Sequence, residues 1–420
     1  MSSTKALMAR RHATLGPHSL TFYDEPLQLV SGVGVWLRGA DGVDYLDAYN
    51  NVPHVGHCNP VVVQAIADQA ARLNIHTRYL HETVVEYAEA LLETFASPLD
   101  RVSLVNSGSE ANELALRIAR QHTGHTGVLV SDFSYHGNTT SLAVLTTALT
   151  VREPLGAHVR ALRVPDLDND PRPEGTVLAE ALAQARAAVD SLVESGHGVS
   201  AFLFDPLFST EGLPRVPAGY LEGVVELVRA AGGLVVADEV QSGFGRTGTR
   251  MWGHELFGLS PELVTLGKPM GNGHPLGAVV TTPELLDEFG AANLYFNTFA
   301  GNPVSAAAGL AVLREMDDLE LQAGTLKVGD RARVLLEELA TRHSFVTAVK
   351  GTGLFFGLEF TEAALTKRVV EDMRRRGVLI SRVGRHDTVL KVRPPLVFGH
   401  DHLTLLADRL AASLDALEAA

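Results

Sequence analysis

The stretch GLVVADEVQSGFG at residues 233–245 is the part of the sequence that best determines the fold class. Its apolar run LVVA leads directly into two adjacent carboxylates, Asp238 and Glu239, and then into a glycine-rich turn. A short, continuously apolar run is typical of a strand buried on both faces of a parallel sheet. Because ligands of open α/β sheets bind at the carboxyl ends of the strands, Asp238 is a candidate ligand-binding residue. A metal site and a helix cap are the alternatives, but no histidine or third carboxylate nearby completes a metal set.

The run LVTLGKPMGNG at residues 263–273 has a similar arrangement, with Lys268 directly after the apolar segment. A lysine between glycine and proline at a buried strand end is not in the usual place for a solvated charge. Desolvation and a neighbouring cation would lower the pKa of its amine, which suits a Schiff-base amine and a general base. The alternative is a lysine that binds phosphate or extends its amine to water.

Outward from these two runs, apolar segments alternate with amphipathic ones. Strands are predicted at residues 102–105, 127–131, 201–204, 233–237, 263–266 and 278–281, and helices at residues 61–73, 82–95, 108–123, 177–195 and 219–231. Such alternation predicts a three-layer α/β domain with a mostly parallel sheet. A smaller α+β domain follows, so we divide the chain into an N-terminal segment (1–55) that packs with the small domain, a large domain (56–300) and the small C-terminal domain (301–420).

Two further motifs follow predicted strands. NSGSEAN at residues 106–112 opens a long helix, where free backbone N–H groups, a glycine and Ser109 can bind an anion. An ordinary capping arrangement is the alternative. DFSYHGN at residues 132–138 places Tyr135 where it can stack on a flat ligand. Packing over the sheet edge is the alternative for this tyrosine.

Bulk composition restricts the partners and the compartment. The net charge of −14, with both signs interleaved, argues against nucleic acid or an anionic membrane as the main partner. No apolar run is long enough for a membrane span. Cys58 is the only cysteine, so no internal disulfide can form, and a reducing compartment, the cytoplasm, is the expected location. The thiol of Cys58 is expected to be buried and unreactive. A short transit peptide is the alternative.

The ordered motifs SGSEAN, YHG, DEVQSGFGRTG, GK and FNTFAGNP together resemble the class III aminotransferases, a family of fold-type I enzymes that use pyridoxal 5′-phosphate. The resemblance extends from about Phe22 to the C-terminus. It implies a large domain built on a mostly parallel, seven-stranded sheet. It also implies the cofactor pyridoxal 5′-phosphate, and no metal.

The resemblance implies a role for each matched residue. Lys268 would carry the cofactor on its amine, and Asp238 would pair with the pyridine nitrogen. The other cofactor contacts would come from Gly108 and Ser109 at the phosphate, Tyr135 and Val240 on the two ring faces, Gln241 near the 3′-oxygen, and Thr298. Because Thr298 would reach the phosphate bound in the neighbouring subunit, a homodimer with active sites at the subunit interface is expected.

Segments 50–57, 73–81 and 267–275 look most like the branch that contains ethanolamine-phosphate and phosphohydroxylysine phospho-lyases. Lys391 occupies the position of an arginine that binds the keto acid in many class III aminotransferases, and DPLFSTEG at residues 205–212 departs from the usual E-P-x-Q-G-E-G run. The expected activity is elimination of phosphate and ammonia from a small aminoalkyl phosphate. Transamination of an ω-amine, β-amino acid or alanine is the main alternative, and an epimerase is another. Candidate substrate-binding residues are Arg78, Lys391 and Arg393.

Overall fold

A computed structural model describes residues 3–419 of the chain. Its strands are β1 (Leu29–Val33), β2 (Trp36–Gly39), β3 (Asp44–Asp47), β4 (Arg101–Val105), β5 (Val128–Ser131), β6 (Val159–Leu162), β7 (Ala201–Phe204), β8 (Leu234–Asp238), β9 (Leu263–Leu266), β10 (Gly277–Thr281), β11 (Val346–Thr352), β12 (Phe355–Phe360), β13 (Val378–Leu379), β14 (Ser381–Val383) and β15 (Val389–Lys391). Its helices are α1 (Thr4–Leu15), α2 (Pro60–Arg72), α3 (Glu82–Leu92), α4 (Gly108–Thr123), α5 (Thr140–Ala143), α6 (Glu174–Glu194), α7 (Tyr220–Ala230), α8 (Pro283–Ala292), α9 (Pro303–Asp318), α10 (Leu321–Arg342), α11 (Ala363–Arg375) and α12 (His400–Glu418). Two short 3-10 helices cover Gly253–Phe257 and Lys268–Gly271.

The large domain is built on a seven-stranded sheet with the order β4-β10-β9-β8-β7-β5-β6. Only β10 runs antiparallel to its neighbours, β4 and β9. The neighbouring pairs from β9 to β6 are all parallel. The predicted three-layer domain with a mostly parallel, seven-stranded sheet is therefore confirmed.

Residues of β8 show why the strand sequences are apolar throughout. Val235 and Ala237 belong to one hydrophobic cluster, whereas Leu234 and Val236 belong to another. Successive side chains of a strand point to opposite faces, so the sheet buries both faces. This arrangement leaves the strand ends as the places where polar side chains can gather.

The small domain contains the antiparallel sheet β11-β12-β15-β14 together with α10, α11 and α12. The N-terminal strands β1, β2 and β3 form a separate sheet, which β13 joins by pairing in parallel with β3. The phenol of Tyr23 also donates a hydrogen bond of 3.0 Å to the carbonyl of Ile380. These contacts are compatible with the proposed division at residues 55 and 300, which stays a proposal.

Three local expectations were wrong or incomplete. The sequence did not indicate β6, because Arg160 interrupts its short apolar pattern VRAL. The three Pro and four Asp or Asn residues at positions 165–173 predict a loose loop. Instead, the buried amine of Lys350 binds Asp166 at 2.7 Å and Asp168 at 3.3 Å, and it also binds Glu359 at 3.0 Å. Cys58 is exposed and not buried.

Candidate active site

The carboxyl ends of several strands of the large sheet converge on one cavity. Asp205 follows β7, Asp238 ends β8 and Lys268 follows β9. The cavity has a volume of about 320 Å³, and the predicted site residues that line it are Gly108, Ser109, Tyr135, Asp238, Val240, Gln241 and Lys268. The structure therefore brings together residues that are widely separated in the sequence.

Lys268 lies in the cavity wall with unusual backbone geometry and surroundings. Its φ is +23°, a conformation that non-glycine residues rarely adopt. Desolvation lowers the pKa of its amine to about 8, and the positive charge of Arg393 acts in the same direction. The carboxylates of Asp238 and Asp205 oppose this shift only in part. At pH 7 a pKa of about 8 leaves roughly a tenth of the amine neutral and nucleophilic, far more than for an ordinary lysine.

Asp238 is held by hydrogen bonds to both of its carboxylate oxygens. Its Oδ2 accepts a bond of 2.9 Å from Asn112 Nδ2 and lies 2.7 Å from His136 Nδ1, and its Oδ1 accepts from the Val240 amide at 3.1 Å. Asn112 is fixed in turn, because its Oδ1 accepts from Thr265 Oγ1 at 2.7 Å. Bonds of this kind fix the direction of the carboxylate.

Asn112 and His136 are functional candidates that the sequence reasoning missed. Both lie within the motifs SGSEAN and YHG, so a signal was present, but their link to Asp238 becomes visible only in the fold. The Nε2 atom of His136 is buried and has no hydrogen-bond partner within residues 3–419. A buried polar atom of this kind normally has a partner, which indicates that a ligand atom or water completes the site.

The N-terminus of α4 forms the anion-binding end of the cavity. Ser107 Oγ caps the helix by accepting from the Glu110 amide at 3.2 Å, while the first helical amides have no partner inside the helix. A Cβ on Gly108 would lie 3.0 Å from Val240 Cγ2, so only glycine keeps this approach open. The amides and the helix dipole together favour an anionic group.

Two buried basic side chains, Lys391 and Arg393, lie beside this cavity. The Lys391 amine is 5.6 Å from the centroid of the Phe355 ring, and the Arg393 guanidinium lies 5.4 Å from the rings of Phe355 and Tyr49. Arg393 also donates a hydrogen bond to Gln241 Oε1. Within residues 3–419, neither cation has a carboxylate at ion-pair distance. Burial and repulsion from Arg393 lower the pKa of Lys391 well below its usual value.

Arg78 and Thr298 do not line the cavity of their own chain. Both are exposed, and the Arg78 guanidinium lies 4.0 Å from the centroid of the Phe296 ring. The loop that carries Thr298 is tied to the start of α4, because Glu110 Oε2 accepts from Asn297 Nδ2 at 2.9 Å. The residue before Thr298 therefore contacts the first turn of α4, although Thr298 itself does not line the cavity.

The cavity thus offers an anion site, a fixed carboxylate and a reactive primary amine. It can hold a flat ligand with an anionic group at one end and a basic nitrogen at the other. Within residues 3–419, no cluster of three or more metal-binding side chains is present. In the same part of the chain, no helix combines the length and apolar character required to cross a bilayer.

Comparison with known proteins supports this interpretation. A family profile described as aminotransferase class-III matches residues 23–414. The chain belongs to the class III aminotransferase family. This class III chain is 38% identical to an alanine–glyoxylate aminotransferase 2-like protein of Drosophila melanogaster, over 96% of this chain and 85% of the relative. It is 35% identical to ethanolamine-phosphate phospho-lyase homolog 1 of Caenorhabditis elegans, over 96% of this chain and 91% of the relative.

A solved structure is still more similar to this class III chain. It is a phospholyase from Arthrobacter in complex with phosphoethanolamine, 64% identical, and the match covers 98% of this chain and 99% of that chain with a TM-score of 0.97. The family and fold expected from the sequence are therefore confirmed, and the match lies within the branch to which the sequence pointed.

Proposed function

We propose that this protein is a pyridoxal-phosphate-dependent phospho-lyase that converts O-phosphoethanolamine to acetaldehyde, ammonia and phosphate. The observation that carries this proposal is the buried guanidinium of Arg393, with the buried amine of Lys391 on the same strand end, next to the reactive amine of Lys268. A buried charge normally requires a compensating partner, and within residues 3–419 no carboxylate at ion-pair distance supplies one. A phosphate dianion would supply it. The Arthrobacter relative, solved with phosphoethanolamine, supports the same choice.

The cofactor fits the observed donor set. Its phosphate would bind at the α4 amides, its pyridine nitrogen would face Asp238, and its aldehyde carbon would be within reach of Lys268. The proposed cofactor contacts are Gly108, Ser109, Tyr135, Asp238, Val240, Gln241 and Lys268. When bound, pyridoxal 5′-phosphate supplies an electron sink for the charge left on the carbon beside the amine.

The residues of the chain perform three tasks in this proposal. Lys268 takes the proton from the carbon that bears the substrate nitrogen, as an amine with a pKa of about 8 can do near neutral pH. Asp238, held by Asn112 and His136, keeps a proton on the nitrogen that it faces. Lys391 and Arg393 hold the substrate phosphate, and the bond from Arg393 to Gln241 orients the guanidinium.

Arg78 and Thr298 are proposed to act at the active site of the neighbouring subunit. Both are exposed on the surface that carries Phe296 and Phe299, and apolar exposure of this kind is typical of an interface. We therefore propose a homodimer in which each chain contributes to the site of the other, working in the cytoplasm on a small-molecule amine. Sedimentation of the purified enzyme together with fractionation of the source cells would test both statements.

Transamination is the second candidate function. The similarity to the Drosophila alanine–glyoxylate aminotransferase 2-like protein favours it, and the Arg393 guanidinium can also bind the carboxylate of a keto acid. Transamination needs the same Lys268 and Asp238, so these residues do not distinguish the two reactions.

The products formed without a keto acid distinguish them. Purified enzyme loaded with the cofactor is incubated with phosphoethanolamine alone, and phosphate, ammonia and acetaldehyde are measured. Equal amounts of all three support the phospho-lyase. If no phosphate is released, and alanine forms after pyruvate is added, the phospho-lyase proposal is refuted in favour of transamination.

A further inference from the structure

Arg246 is a fully buried arginine in the turn that follows β8, and it does not line the cavity. Within residues 3–419, no carboxylate lies at ion-pair distance from its guanidinium. A buried guanidinium without a carboxylate is costly unless its N–H groups are hydrogen-bonded to other acceptors. The acceptors that Arg246 binds therefore indicate what this side chain holds in place.

Two of these acceptors are backbone carbonyls of the small domain. The Nη1 atom of Arg246 donates to the carbonyl of Leu354 at 3.1 Å and to the carbonyl of Pro394. In return, the carbonyl of Arg246 accepts from the Leu354 amide at 3.1 Å. A Cβ on Gly353 would lie 2.5 Å from the Arg246 carbonyl oxygen, so only glycine permits this approach. The small domain is therefore packed directly against the turn at Arg246.

The third acceptor, His54, belongs to the N-terminal segment. Arg246 Nη2 donates to His54 Nδ1 at 3.3 Å, and His54 Nε2 lies 2.7 Å from the carbonyl oxygen of Phe244. Because a carbonyl oxygen only accepts, Nε2 carries the proton of the neutral ring and Nδ1 is free to accept. Burial holds the pKa of His54 well below its usual value, and the charge of Arg246 acts in the same direction. One guanidinium thus joins three separate parts of the chain.

The strand end that carries Arg393 is bound at two points by the turn after β8. Its side chain donates to Gln241 Oε1, and the carbonyl of the next residue, Pro394, accepts from Arg246. Gln241 lines the cavity, and the same turn begins directly after Asp238. A planar guanidinium donates in fixed directions from separate nitrogens, which a lysine amine cannot reproduce. The position of Arg393 relative to the cavity therefore depends on Arg246.

We propose that Arg246 is a positioning residue that holds the Arg393 guanidinium against Gln241 beside the cavity. This inference rests on the proposed function, in which Arg393 binds the substrate phosphate. Arg246 acts through the carbonyl of Pro394 and touches neither the substrate nor the cofactor. Its loss should therefore weaken binding of the substrate phosphate and leave proton removal by Lys268 nearly unchanged.

The first test separates KM from kcat. Arg246→Lys keeps the positive charge but removes the planar arrangement of donors. It should raise KM for phosphoethanolamine at least about 10-fold, because a small displacement of a binding group has a large effect. It should leave kcat within about two-fold, as expected when binding alone is weakened. An unchanged KM, or a loss confined to kcat, would overturn the proposal.

Arg374→Lys is the matched control for this test. Arg374 is more than nine-tenths buried and lies 2.6 Å from Glu25, away from the cavity. The control should lower the melting temperature and leave KM for phosphoethanolamine unchanged. If both variants raise KM equally, the effect of Arg246→Lys is general destabilisation and the positioning role is refuted.

The second test asks whether Arg246 acts through Arg393. Groups that act as one unit show non-additive effects in a double-mutant cycle. In an Arg393→Gln background, Arg246→Lys should therefore cause no further increase in KM. Independent losses that multiply in the double variant would overturn the proposal. If Arg246→Lys does not fold, His54→Phe replaces it in the cycle, because this change removes the acceptor of Nη2. An unchanged KM in His54→Phe would overturn the proposal in the same way.

The third test does not depend on turnover. A crystal structure of the Arg246→Lys holoenzyme should show Arg393 displaced and its bond to Gln241 lost, and an unmoved Arg393 would refute the positioning role. Wild-type enzyme that releases no phosphate from phosphoethanolamine refutes the phospho-lyase itself. Wild-type enzyme that releases phosphate, with an Arg246→Lys variant that keeps its KM and its Arg393 in place, refutes only the role of Arg246.

Discussion

The amine of Lys268 lies in surroundings that disfavour its charged form. Because its pKa is lowered to about 8 from 10.5, the neutral fraction of the amine rises with pH through about 8. In the cofactor-free protein, the rate at which Lys268 reacts with an amine-specific reagent should therefore be half-maximal near pH 8 and increase above it. Peptide mapping of the labelled protein gives this rate for each lysine.

Lys367 provides the control for this titration. It is exposed, and its partner Asp24 lies 3.0 Å away, so its labelling rate is the reference for an accessible lysine. If the labelling of Lys268 reaches half its maximum only well above pH 8, the lowered pKa of Lys268 is refuted.

Replacing Lys268 tests its proposed bond to the cofactor. Borohydride converts a lysine–cofactor linkage into a stable adduct, so the wild type should retain the cofactor on Lys268 after reduction and denaturation. Lys268→Ala should lose this adduct and at least about 10²-fold of its activity. A reducible adduct that persists in the variant would assign the linkage to another lysine. Lys350→Ala is unsuitable as a control because it breaks a buried charge cluster, so Lys367→Ala is used.

Only part of the candidate site could be predicted residue by residue. Lys268 and Asp238 stood out because charged residues directly follow apolar runs. Asn112 and His136 did not, because their importance depends on burial and on a neighbour from a distant segment, Asp238. A single sequence contains no direct signal for a buried nitrogen without a partner.

At the scale of elements, the apolar runs predicted most strands of the large sheet, and the polar interruption in β6 explains the exception. The sequence of residues 378–383 predicts one continuous element. Instead it divides at Ile380, because β13 pairs with β3 whereas β14 pairs with β15. Hydrophobicity does not specify which of two sheets a short segment joins.

Lys350 connects the loop at residues 165–173 to the small-domain sheet. Removing one member of a buried charge cluster leaves the others uncompensated, so Lys350→Met should lower the free energy of unfolding by about 3–5 kcal/mol. Urea unfolding followed by circular dichroism measures this change. Lys367→Met, which removes an exposed ion pair, should cost no more than about 1 kcal/mol. Equal effects of the two variants would refute the structural role of the buried cluster.

At the scale of the whole molecule, the proposed roles of Arg78 and Thr298 require two chains for each working site. Leu80, Leu294 and Phe299 are largely exposed near Arg78 and Thr298, and such apolar exposure is unusual on a monomer. The role of Thr298 came from the family resemblance, because nothing local in its sequence indicates that it reaches another subunit.

Mixing two inactive variants tests this sharing. If Thr298 acts across the interface, heterodimers of Lys268→Ala and Thr298→Val chains contain one site with both native residues. Activity should therefore reappear after subunit exchange, while each variant alone stays impaired. Absence of recovery despite heterodimer formation would place Thr298 at the site of its own chain, and a fully active monomer in sedimentation would refute the dimer.

The number of phosphate ions released per active site in the absence of a keto acid distinguishes the phospho-lyase from the aminotransferase. A phospho-lyase regenerates its cofactor in every cycle, so we predict that phosphate release from phosphoethanolamine continues linearly far beyond one equivalent. Release that stops at or below one equivalent per Lys268 site, and resumes only when pyruvate is added, would contradict the phospho-lyase assignment.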